Sequence, residues 1–225
     1  MPDFDAVLER ARGDANVVGV ILSGSRGRGM HVTARSDWDA FVVVREPSGD
    51  WPQERGGLDL SELTLERLTD PPDWARPALL WLEPALDKTG EVAEALRRAT
   101  TVDPASAAEP LDGYVNMLYR SLKNDRLGLA TASLLDAQES LPWLLQFLFA
   151  VHGRVRPYNK WLEWELERHP LAAPVDVGRL ERIARTGDAD EQRAQFREVE
   201  AIAREHGLGG TIDAWEPDVA FLRGA

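Results

Sequence analysis

The chain has no cysteine in 225 residues, which excludes a disulfide framework, a thiolate metal site and a cysteine nucleophile. Histidine is scarce as well: His31, His152, His169 and His206 are scattered without metal-ligand spacing, so no zinc site is expected. The longest mostly apolar run, Leu141 to Val151, is too short to cross a bilayer. Residues 1–12 carry Asp3, Asp5 and Glu9 with no apolar leader segment, and a soluble, cytoplasmic protein is expected. Positive charge is the other shortage: 26 Lys and Arg stand against 38 Asp and Glu, a formal net charge of −12. Proteins that bind long nucleic acid through its phosphates usually show a basic face, so this balance argues against DNA or RNA and weakly for a small or cationic partner. What is present, 44% hydrophobic and 28% charged residues, gives enough apolar material for one large domain or two small ones.

Chemistry concentrates between Val18 and Val44. An apolar strand (Val17, Val18, Val20, Ile21, Leu22) runs into a small-residue turn, Ser23-Gly24-Ser25. A basic glycine-rich loop of Arg26, Gly27, Arg28 and Gly29 follows, and a second strand opens at Asp37-Trp38-Asp39. Side chains two apart on a strand share a face, so Asp37 and Asp39 aim two carboxylates at one spot. Carboxylates held that close repel unless a cation lies between them, and hard oxygen ligands suit Mg²⁺. The turn supplies the other half of a phosphate site. Gly24 lets a ligand approach the backbone, Ser25 offers a hydroxyl and an amide, and Arg26 is a forked cation matched to phosphate oxygens. Singly, a Gly-Ser turn or an Asp-x-Asp strand edge is a common structural feature; in this order they describe a site for metal-assisted phosphoryl or nucleotidyl transfer. Trp38 is expected on the sheet's other face, as support.

This stretch resembles the polymerase-β-like nucleotidyltransferase superfamily, in which a Gly-Gly or Gly-Ser turn precedes Asp-apolar-Asp/Glu-apolar. The matching residues are Ser23-Gly24-Ser25 and Asp37-Trp38-Asp39-Ala40. The family also uses a third carboxylate on a following strand, and Leu58-Asp59-Leu60-Ser61 stands in that place. Glu62 competes for the role, but on a strand over Leu58 to Leu65 it falls on the opposite face from Asp59. The resemblance implies that Asp37 and Asp39 hold Mg²⁺, that Asp59 is a metal ligand, the base towards an acceptor hydroxyl or both, and that Gly24, Ser25 and Arg26 bind ATP.

Elsewhere the first half reads as support. Asp3 to Arg12 has the period of a short amphipathic helix, Pro47 to Gly57 is expected to be a turn-rich, exposed hairpin loop, and Leu65 to Thr69 is a brief helical turn. Ala85-Leu86 leads into the turn Asp87-Lys88-Thr89-Gly90, to which no chemistry is assigned, and a helix is expected over Glu91 to Ala99. Thr100 to Pro110, with two prolines and no periodicity, is the best domain boundary. Beyond it the period is helical throughout: Leu111 to Lys123, Arg126 to Gly153, Asn159 to Glu167, Val177 to Arg185, Glu191 to Glu205 and Ile212 to Leu222. The expected fold is α+β, with a small mixed-sheet nucleotidyltransferase domain over 1–105 and an all-α helical bundle over 106–225.

That order is similar to the aminoglycoside nucleotidyltransferases, whose C-terminal bundle closes over the acceptor. Two stretches of the bundle draw notice. In Leu135-Asp136-Ala137-Gln138-Glu139, Asp136 and Glu139 either hold an amine of the acceptor or form a solvated stripe. In His152 to Lys160, Lys160 stands where a lysine of the resembled family reaches the triphosphate, with Tyr158 or Asn159 beside it; the alternative is an anchored loop with no ligand. The expected reaction, as the resemblance implies it, moves a nucleoside monophosphate, AMP from ATP, to a hydroxyl of a small acceptor, with aminoglycoside-type antibiotics as one candidate class, and releases pyrophosphate. The expected protein is a monomer or homodimer with no membrane and no long nucleic acid as partner. Two alternatives stay open: a toxin–antitoxin type transferase that adenylylates a partner protein or RNA, and a non-catalytic nucleotide-binding module.

Overall fold

The computed structural model describes residues 4–51, 53–55, 57–172 and 175–224. Asp3, at the expected start of the first helix, and Pro52 and Gly56 in the expected 47–57 loop lie outside the described residues. The chain divides into two compact units, Met1–Thr101 and Val102–Ala225, and its class is α+β.

The first unit runs α1 (Phe4–Gly13), β1 (Val17–Leu22), α2 (Gly24–Gly27), β2 (Trp38–Val44), β3 (Gln53–Arg55), β4 (Leu58–Thr64), α3 (Leu65–Thr69), α4 (Arg76–Leu79), β5 (Pro84–Asp87) and α5 (Glu91–Ala99). The strands form one mixed sheet in the order β3-β4-β2-β1-β5. β1 is antiparallel to both β2 and β5, while β2 and β4 are parallel, in register from Trp38 beside Leu58 to Val44 beside Thr64. The sheet is covered on both faces, which is why its central strands read as near-continuous apolar runs. Val7 and Ala11 of α1 pack with Val20, Ala40, Val42, Leu58 and Leu60. On the other face Leu68 of α3, Leu79 of α4 and Val92, Ala95, Leu96 and Ala99 of α5 pack with Val18, Ile21 and Val43. Trp38 belongs with the α1 face, its ring 5.6 Å from that of Phe4.

The second unit is helical: a short 3₁₀ turn (Pro104–Ala107), α6 (Ala108–Arg126), α7 (Ala130–Ala150), a 3₁₀ turn (Asn159–Trp161), α8 (Leu162–Arg168), α9 (Val177–Thr186), α10 (Ala189–Glu205), α11 (Gly209–Asp213) and α12 (Asp218–Arg223). Leu111, Val115, Leu118, Phe147, Phe149, Phe196 and Val199 are at the centre of its core. Three helical expectations shift. The long helix expected from Arg126 begins at Ala130, because Gly128 in the left-handed region (φ +73°) ends α6 first. The expected helix from Asn159 opens as a 3₁₀ turn and becomes α8 at Leu162. The helix expected over Ile212 to Leu222 is two, α11 and α12, separated ahead of Pro217, which has no N–H to continue the ladder.

Close backbone approach sets the position of β1 between its neighbours. A Cβ on Gly19 would lie 2.3 Å from the Leu86 carbonyl oxygen and 2.8 Å from Val92 Cγ2, so only glycine allows β5 and α5 to close on the strand. Gly19→Ala is expected to lower unfolding free energy by about 1 to 3 kcal/mol, read as a lower denaturant midpoint at unchanged slope. An unaltered midpoint would mean that β1 and β5 separate freely.

Candidate active site

The turn after β1 is fixed to β2 at the level of Asp39. The Ser23 amide donates to the Asp39 carbonyl at 2.7 Å, and the Ser23 hydroxyl donates to the same oxygen at 3.2 Å. Gly24 follows with φ +61°, and a Cβ there would lie 2.4 Å from Asp39 Oδ2. Gly27 closes the single helical turn by donating to the Ser23 carbonyl at 2.8 Å, and its own Cβ would lie 2.1 Å from the Leu22 carbonyl oxygen. Glycine at both ends lets the turn fold back over the strand and touch the Asp39 carboxylate.

The parallel register brings the second strand's carboxylate alongside. Asp39 and Asp59 are direct partners across β2 and β4, both on the face of Val43 and Leu63, and Asp37 immediately precedes β2. Asp37 and Asp59 are exposed and Asp39 is half-buried. Asp39 titrates above the ordinary carboxylate range, first because burial penalises its charge and then because of the negative charges of Asp37 and Asp59. The three carboxylates thus share one edge and repel one another. Among the described residues, however, no three His, Cys, Asp or Glu form a group ready to hold a metal ion. The site is an open rim, and that suits Mg²⁺, which commonly takes one or two carboxylates and completes its shell from water and substrate phosphate. Hard oxygen donors in mutual repulsion, beside a turn where a side chain would collide, fit such an ion.

Glu62 is engaged elsewhere. It accepts from the Ser48 amide and hydroxyl at 2.7 Å each and from the Gly49 amide at 3.3 Å, and these bonds, the Ser48 hydroxyl first, hold it below the ordinary range. Asp87 caps α5, accepting from Gly90 and Ala93 amides at 2.8 and 2.9 Å.

Two arginines of the glycine-rich loop have structural partners. Arg26 donates from Nε and Nη2 to the Ser36 carbonyl at 3.0 and 2.8 Å, with its guanidinium 4.6 Å from the Trp38 ring centroid. Both hydrogen bonds serve the loop that returns the chain to β2. Arg28 was not singled out by the sequence, yet it clips the turn in place: Nη1 donates to Gly24 O at 3.1 Å, Nε to Leu80 O at 3.1 Å and Nη2 to Ala78 O at 2.6 Å. Its partners around residue 80 are some fifty positions away, and no local pattern marks them. The Ser25 carbonyl accepts from the Met30 amide at 3.0 Å.

The remaining candidates lie in the second unit. Asp136 is buried and engaged within its own unit, accepting from Asn124 Nδ2 at 2.8 Å and facing Arg120 Nη2 at 3.1 Å, whereas Glu139 is exposed. The two acids therefore do not form a pair on the buried side of α7. Tyr158 is 44% exposed, and the Lys160 ammonium lies 4.8 Å over the Trp161 ring. No helix among the described residues is long and apolar enough to cross a membrane.

No protein-family model matches the chain, and no curated protein matches it. Among solved structures, the chain is similar to a nucleotidyltransferase-like protein from Exiguobacterium sibiricum at 11% identity and a TM-score of 0.46, over 97% of this chain and 76% of that one. So loose a likeness leaves function to be argued from the chain's own side chains.

The raised pKa of Asp39 has a consequence for stability. The folded state disfavours its ionised form, so the cost is absent below the ordinary value of 3.8 and grows as pH rises through the raised pKa. In buffer free of divalent cations, Asp39→Asn is expected to raise the melting temperature at pH 7, with the gain fading as pH falls towards 3.8. A variant that melts no higher than the parent at pH 7 would refute the repulsion.

Proposed function

We propose that the first unit is the nucleotidyl-transfer centre of a Mg²⁺-dependent enzyme that moves AMP from ATP to a hydroxyl of a small acceptor. The observation that carries this reading is the placement of Asp39 beside Asp59, with Asp37 ahead of them, against a turn whose glycine admits no side chain. Asp37 and Asp39 are the residues that would hold the ion, which when bound neutralises triphosphate oxygens and polarises the reacting phosphorus. The Gly24-Ser25 backbone receives the phosphates. Asp59, on the neighbouring strand, takes the acceptor's proton. The acceptor oxygen bonds to the α-phosphorus, the bridging bond to the β-phosphate breaks, and the electron pair leaves with pyrophosphate. Arg28 is a positioning residue, since its bonds to Gly24 and to the 78–80 carbonyls hold the turn against Asp39.

The net charge of −12 supports a small acceptor over a long polyanion, and cationic hydroxyl compounds of the aminoglycoside type are the first class to try. The test is pyrophosphate release from ATP and Mg²⁺, screened across aminoglycosides, lincosamides and other small hydroxyl compounds. Release should depend on one acceptor class, stop with EDTA, and fall by about a hundredfold or more in Asp39→Asn. Saturable ATP binding without turnover on any acceptor would favour the non-catalytic reading instead.

A further inference from the structure

The second unit carries a cavity of about 590 Å³ whose wall is made of Arg126, Arg193, Arg197, Arg223, Phe221 and Asp190. Four arginines line it; Arg223 is held by Glu200, which leaves Arg126, Arg193 and Arg197 with Asp190 as the carboxylate of the wall, in a chain that is strongly acidic overall. Asp190 does little to offset them: it lies 3.6 Å from Arg193 and its side chain is 98% exposed, where an ion pair contributes little.

Helix stability accounts for only part of this cluster. Arg126 and Arg223 stand in the last turns of α6 and α12, where a cation complements the helix dipole. Arg193 and Arg197 do not. They lie four apart near the middle of α10, an arrangement of like charges that destabilises a helix. The acids of α10 that might have neutralised them are turned to other partners: Glu191 to Arg179 and Arg182, Glu198 to Arg179, and Glu200 to Arg204 and Arg223. Arg193 Nε is buried with no hydrogen-bond partner among the described residues, and Arg197 donates to the Arg223 carbonyl at 3.2 Å. The Arg126 and Arg193 guanidiniums lie 5.8 and 5.9 Å from the Phe221 ring, so the aromatic side chain floors the cluster.

From this geometry we infer a second ligand site: the α6–α10–α12 cavity binds a small phosphate-bearing anion. Planar guanidinium forks match phosphate oxygens two at a time, and a multiply charged anion would relieve the repulsion between Arg193 and Arg197. The volume is that of a small-molecule pocket, and the acidity of the chain disfavours a long polyanion. The site is built from residues of the second unit alone and does not depend on the activity proposed for the β2 carboxylates.

Calorimetric titration of the full chain with pyrophosphate, and separately with ATP, tests it in EDTA buffer so that no divalent ion bridges phosphate to the carboxylates. Saturable binding is expected, weakened by added salt, retained in Asp39→Asn, and about tenfold or more weaker in the Arg126→Gln/Arg197→Gln double variant. Both arginines are exposed, and an unchanged melting curve would show that the double variant folds. Equal affinity for the two ligands identifies free phosphate groups as the recognised chemistry; tighter ATP binding identifies a nucleoside phosphate with its base on Phe221. Either no saturable binding, or binding lost in Asp39→Asn and kept in the double variant, would overturn the assignment.

Discussion

The candidate site depends on how near the Gly24 turn comes to Asp39. Backbone and carboxylate are so close that a methyl group on Gly24 would lie 2.4 Å from Oδ2, and the Ser23 bonds to the Asp39 carbonyl keep the two together. The parallel register then adds Asp59 to the same edge. There the Asp39 carboxyl meets the negative charges of Asp37 and Asp59. Arg26 and Arg28 of the glycine-rich loop are turned to backbone carbonyls, where they hold the loop and the turn. The fold tolerates this repulsion because the strands behind it are anchored by fully buried Val20, Ile21, Val42 and Val43. Under the proposed function, this repulsion is what a bound cation would relieve.

How much of this could be read from the sequence follows from the range of each interaction. The turn, the Asp-x-Asp pair and the strands are local patterns, and the period-2 alternation that separates Asp59 from Glu62 is local too. The structure brings Asp37, Asp39 and Asp59 to one edge and ties Glu62 to the Ser48 turn, consistent with that alternation. The role of Arg28 was not legible, because its carbonyl partners come from a segment whose approach depends on how α4 packs. Arg26 shows the converse: its composition suits phosphate, but the carbonyl of Ser36 and the face of Trp38 were hidden in the return of the loop. The split of the last helix was legible in principle, since Pro217 marks it.

Asp136 illustrates a different limit. An acid in an apolar helix reads equally as a ligand and as a buried structural group, because helical spacing fixes its direction and not what faces it. Here Asn124 and Arg120 on α6 face it, so its charge is compensated inside its own unit. Arg154 and Glu165 form a similar internal pair, with the glutamate almost fully buried. Both are interactions between elements, and both remove residues from the set available to a ligand.

The arginines of the second unit sort by the same test. Arg154, Arg179, Arg182 and Arg204 each face a carboxylate, and their positions need no further explanation. Arg193 and Arg197 are left on one face of α10 with Arg126 and Phe221 opposite and a weak, exposed acid at the rim. Placing two like charges four residues apart weakens a helix unless something of opposite sign meets them. Among the described residues Glu191, Glu198 and Glu200 of α10 are engaged by other guanidiniums, and the anion inferred for this cavity would supply the compensating charge.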